Sequence, residues 1–176
     1  MSSSPAVDYS VARSVQAGDK VQHHVERLMQ YVNIESIPTM ETTNWTDVKL
    51  ADGGPQILAE VREAFKREFN GSLKITDIVD ALINPPLKPY FLSRAVQFVV
   101  FQSGWSNLGN NCIVLIPVAL TGTMNAVIDE NTSRRRTTLT FMPNTEVLIS
   151  GGCSMCIPEK SKVVCVMLGV RVGDGN

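Results

Sequence analysis

Few side chains in this sequence have the type and spacing that chemistry requires. An imidazole titrates near neutral pH and can take up or release a proton, and the chain has two, His23 and His24. Neighbours in sequence point to different faces of a helix, so the pair offers a general base or a pH switch through one ring at a time. The plainer expectation is two solvated helix residues. Cys153 and Cys156 form a C-x-x-C behind Gly151 and Gly152. Redox work would set that spacing at the start of a helix, where the helix N-terminus lowers the thiol pKa. Here it stands between two strand-like runs. A structural zinc would also need Cys112 and Cys165, which lack a second such spacing. Cys153 and Cys156 are therefore weak metal candidates, small buried residues are the expectation, and neither a metal nor a cofactor is expected.

Arg134, Arg135 and Arg136 make the one concentrated positive spot, just after Asp129 and Glu130. A hairpin tip with three guanidinium groups could dock the phosphates of a nucleic acid or an anionic lipid surface. A solvated turn neutralised by its own two acids is the alternative. Neither a P-loop nor a dinucleotide-binding glycine pattern occurs. Asp77 and Asp80, three apart on a helical stretch, fit its wet face.

These residues need elements to hold them. A stripe of Val21, Val25, Leu28, Met29 and Val32 predicts a helix over 20–33 with Asp19 as N-cap. Pro55 in a first turn opens a second helix that runs to about residue 69, stopped by Asn70-Gly71, and 76–83 fits a third. A proline-rich connector, 85–90, follows. From Tyr90 onward the runs 94–102, 111–120, 123–128, 136–142, 146–150 and 162–172 are rich in Val, Ile, Phe and Thr and separated by turn residues. Pro117 inside its run points to an edge or a bulge. The expected fold is α+β, N-terminal helices followed by an antiparallel sheet of about five to six strands. Residues 1–19 are expected to be a flexible polar arm. Residues 20–176 are expected to be a single domain, helical over 20–84 and β over 90–176.

The chain has 176 residues, 16 Lys plus Arg against 17 Asp plus Glu, and a net charge of −1. No global positive field exists to hold nucleic acid. Met1–Asp19 lacks the order of a signal peptide, and a cytoplasmic chain with reduced thiols is expected. Between Arg94 and Asp129 lie 34 residues without one Asp, Glu, Lys, Arg or His. The polar stretch 102–111 splits this window into two short strands, too short for a membrane span. Charge depletion also marks the centre of a subunit interface. Phe98, Val100, Trp105, Ile113, Leu115 and Val118 are accordingly expected to be core or self-association residues.

One family is similar in the order of its parts. The stretch Ile75-Thr76-Asp77-Ile78-Val79-Asp80-Ala81-Leu82, then Lys88-Pro89-Tyr90-Phe91, then Phe98-Val99-Val100-Phe101-Gln102-Ser103-Gly104-Trp105-Ser106-Asn107-Leu108 resembles the rhabdovirus matrix proteins, in particular the small ones of plant-infecting members. In them a polar arm precedes a compact α+β domain, and a short helix leads through a loop to an aromatic strand and a polar turn. The resemblance implies self-association, contact with nucleocapsid and membrane, and no catalysis. The expectation is a non-enzymatic, self-assembling viral structural protein of virion and host cytoplasm, most simply a matrix protein linking nucleocapsid and envelope. Its partners would be copies of itself as a homo-oligomer or lattice, together with viral nucleoprotein, RNA or an anionic membrane. A small viral coat protein and a dimeric binding or regulatory module are the alternatives.

Overall fold

Strands with one wet face alternate apolar and polar residues, whereas strands covered on both faces are apolar throughout. The stretches 112–118 and 163–168 are of the second kind, and that decides the architecture. The computed structural model describes residues 10–39, 45–83, 89–122 and 125–173. In chain order come β1 (Ala12–Gln16), α1 (Asp19–Met29), a 3-10 turn at Ile34–Ser36, β2 (Thr46–Asp47), α2 (Gly54–Gly71) and α3 (Leu73–Leu82). There follow β3 (Tyr90–Asn107), β4 (Cys112–Thr121), β5 (Asn125–Glu130), β6 (Arg136–Thr140), β7 (Thr145–Ile149) and β8 (Cys153–Val172). The eight strands form one sheet in the order β1-β7-β4-β8-β3-β2, with β5 joined to β8 and β6 to β5. Every pairing is antiparallel.

The ladder between β3 and β8 runs from Tyr90↔Val172 to Asn107↔Ser154, with register slips between Leu92 and Val96 and between Gln102 and Gly104. A slip bends a strand and sharpens its twist. Beyond the second slip β8 has left β4 and taken β5 as its other partner, with Val127 opposite Cys156. The sheet therefore curls over itself and comes nearly to closure, with β1 lying against β6. Pro117, which has no N–H to donate, sits where the β4–β8 register shifts.

Side chains alternate across a strand, and β8 uses both faces. Val164, Val166, Leu168 and Val170 pack with Val21, Leu28, Val61, Phe65 and Val79 of the helices. Val163, Cys165, Met167 and Met155 point into the curl, with Phe101, Leu115, Ile128, Phe141 and Ile149. The helices supply their stripes in the usual spacing: Val21, Val25 and Leu28 on α1; Ile57, Val61, Ala64, Phe65 and Phe69 on α2. Ser72 caps α3, its Oγ accepting the Ile75 N–H at 3.4 Å.

The expected α+β architecture is overturned. The fold is mostly β and almost a closed barrel, β1 precedes the first helix, and the helices cover only the outer face of the sheet. The polar arm does not extend to residue 19, because Ala12–Gln16 pair with Ile149–Thr145 of β7. Residues 1–9, residue 84 and the 85–88 part of the proline-rich connector lie outside the described residues, as do 123–124 of a predicted strand. The charge-free window has an internal cause. From Cys112 to Val118 β4 is buried on both faces, so no subunit contact is needed to explain it.

One group breaks the apolar packing on the helix side. Glu146 on β7 is fully buried, and neither carboxylate oxygen has a hydrogen-bond partner. Burial, with the charge of Glu68 on α2 adding to it, pushes its carboxyl up to about 8. Glu68 itself accepts the Gly18 N–H at 3.0 Å, and its own pKa is raised by burial. The folded chain thus holds a proton on Glu146 that the unfolded chain has lost, from the ordinary carboxylate value of 4.5 up to about 8. Stability from this residue is full below that window and falls as pH rises through it, by about 1.4 kcal/mol per pH unit. Glu146→Gln, which keeps the shape and never ionises, should flatten the slope and be the more stable protein at the alkaline end. Chemical denaturation across the window measures it, and an unchanged slope in the variant would refute the assignment.

Candidate functional site

The histidines lie on the helix layer. His23 is exposed and His24 half-buried on α1, their rings 5.4 Å apart and inclined at 65°. His24 Nδ1 lies 3.2 Å from Glu60 Oε2 of α2, the same oxygen that pairs with Arg27. They belong to a polar link between two helices.

In a strand, residues three apart point to opposite faces. Cys153 faces the sealed interior of the curl, its Sγ 3.3 Å from Ser150 Oγ, and burial raises its pKa. Cys156 faces the other way, half-buried. The two thiols therefore do not converge on one ion. Burial also pushes the Cys112 thiol up to about 12, and raises that of Cys165. Such thiols are poor nucleophiles. Among the described residues no three His, Cys, Asp or Glu side chains are placed to hold a metal.

Arg134 and Arg135 lie in the β5–β6 turn, and Arg136 opens β6. Arg135 makes a two-pronged pair with Glu130 at 2.8 and 2.7 Å, and Arg136 meets Asp129 at 2.7 Å. Arg134 stands exposed with a left-handed backbone, φ 56°. Of the six apolar candidates, Phe98, Val100 and Val118 lie in the core under the helices, and Ile113 and Leu115 inside the curl. Trp105 is 42% exposed. Asp77, exposed on α3, shares a shallow cleft with Arg13 of β1.

The site that sequence reasoning missed is built on the first register slip of β3. There Ser93 turns inward, its Oγ accepting the Ala95 N–H at 3.3 Å. Its carbonyl accepts two hydrogen bonds from Arg62 of α2, at 3.3 and 3.1 Å. This clamp fixes α2 over the end of the β3–β8 ladder and leaves a cleft of about 600 Å³ between them. Arg62, Lys66, Arg94 and Arg171 line it, and no carboxylate does among the described residues. Arg62 pairs with Glu63 outside the cleft. Lys66, Arg94 and Arg171 form no ion pair among the described residues. Two further concavities, of about 280 and 620 Å³, meet the first at Arg171. The i, i+4 spacing of Arg62 and Lys66 on one helix face was visible in the sequence. Their meeting with Arg94 and Arg171 depends on strand register and was not.

No family model and no curated protein matches the sequence. Solved structures do match the fold. A prolyl hydroxylase from Trichoplax adhaerens, solved with a hypoxia-inducible-factor peptide fragment, aligns at TM-score 0.53 and 7% identity over 91% of this chain and 83% of its own. The non-heme, alpha-ketoglutarate-dependent epimerase SnoN of nogalamycin biosynthesis aligns at 0.52 and 7% over 93% and 79%. A putative oxygenase from Shewanella oneidensis aligns at 0.51 and 10% over 93% and 82%. At such identities the likeness is one of fold, a jelly-roll of the oxygenase type. It overturns the resemblance to rhabdovirus matrix proteins, and the reading as a non-enzymatic viral structural, matrix or coat protein, which rested on that resemblance, falls with it.

Non-heme iron oxygenases of the facial-triad kind hold the metal with two histidines and one carboxylate around open positions. This chain does not fit such a centre. Its two histidines are neighbours on a helix outside the sheet, and the interior of the curl is packed with Phe101, Phe141, Met155 and Leu115. Protein equilibrated anaerobically with Fe(II) and then desalted should retain far less than one iron per chain. Metal analysis checks this, and one tightly held iron would sink the reading.

Proposed function

We propose that this chain binds a small organic anion in the cleft between α2 and the β3–β8 ladder. One observation carries the proposal: three cations from three elements, Lys66, Arg94 and Arg171, line one concavity, with no ion-pair partner and no lining carboxylate among the described residues. Like charges held together repel, and a concave wall of low dielectric focuses their field outward toward an anion. Guanidinium groups suit carboxylate and phosphate alike, since their fork matches either by paired hydrogen bonds. The Ser93–Arg62 clamp supports the reading, because it shapes the cleft before any ligand arrives, which lowers the ordering cost of binding.

2-Oxoglutarate is the first anion to test, since the SnoN epimerase of similar fold is named as dependent on it; inorganic phosphate is the second. Titration calorimetry at low salt should show binding of at least one of them that weakens as salt is raised. Arg171→Ala should lower the affinity about tenfold or more, the cost of one charge-assisted hydrogen bond. The same change at Arg134 should leave it unaltered. Absence of binding by either anion, or equal losses at Arg171 and Arg134, would overturn the proposal.

A further inference from the structure

The cleft has one wall that its cations do not explain. Phe91 of β3 lines it, 37% exposed. Phe91 is the register partner of Arg171, and directly opposed residues of an antiparallel pair share a face of the sheet. An aromatic ring therefore stands beside a guanidinium, and among the described residues that guanidinium has no ion pair and no other ring covers the phenyl face. A lone exposed phenylalanine needs no explanation. Beside Arg94, Arg171 and Lys66 it narrows the choice of ligand. A bare anion would leave the ring in water, and an uncharged apolar molecule would leave the cations unanswered.

We infer that the cleft selects anions carrying a planar aromatic ring, which stacks on Phe91 while the acid group meets Arg94, Arg171 and Lys66. The inference rests on the anion-binding reading above and deepens it. Stacking on an exposed aromatic side chain tolerates many planar rings; the acid is a phosphate or a carboxylate, and the experiment separates the two.

Calorimetric titration of the whole protein with two matched pairs tests it: adenosine monophosphate against ribose 5-phosphate, and phenylacetate against acetate. In at least one pair the ring-bearing member should bind about five- to a hundredfold more tightly, and the pair that responds identifies the acid. Phe91→Ala should remove that preference. Phe91→Leu keeps apolar area without a π face and should lose the preference too, which carries the test should the alanine variant fold poorly. Equal affinities within both pairs, or a preference that survives both substitutions, would overturn the inference while anion binding stands. No binding by any of the four would overturn the inference, and anion binding would fall with it only where 2-oxoglutarate and phosphate fail as well.

Discussion

The two-sided burial of β8 is the constraint on which the rest depends. A strand that faces the helices with Val164, Val166 and Leu168 and the curl with Val163, Cys165 and Met167 has no wet face left. It must sit in the middle of a sheet, covered above and below. That requirement recruits the amphipathic helices to one side and forces the sheet to close over the other. The register slip near Gln102 lets β3 follow the bend, and the slip near Ser93 opens the gap in which the basic cleft lies. Core and candidate site are thus two results of one ladder.

The helices were legible because each keeps a single apolar stripe, and the apolar runs within 94–102, 111–120 and 162–172 were legible because both faces of their central residues are buried. β1 was not. Five residues with one exposed side, next to a serine-rich start, give too short an alternation to stand out from an arm. The first half of β8 was hidden by Gly151 and Gly152, which read as a turn and so placed the C-x-x-C in a loop. Within a strand its two thiols face apart, which no spacing rule for loops would reveal.

The charge-free window shows how one composition can serve two readings. Depletion of charge marks a subunit interface and a strand buried within its own chain equally well. Only the pairing of β4 with both β7 and β8 decides between them. The basic cleft was illegible for the opposite reason. Lys66, Arg94 and Arg171 are each an ordinary surface residue in their own segment, and their meaning comes from a register that brings distant positions into one wall.

β8 follows every strand that it joins, and it contacts β3, β4 and β5 at once. During synthesis the earlier strands emerge before the partner that covers them exists. Contacts so distant in sequence close slowly, and apolar edges left open in the meantime are prone to stick to other chains. Until residues 153–172 have emerged, β3 and β4 therefore depend on the three helices for shelter. The amphipathic helices that precede the long strands would then act as a nursery for the sheet as well as a layer of the finished fold.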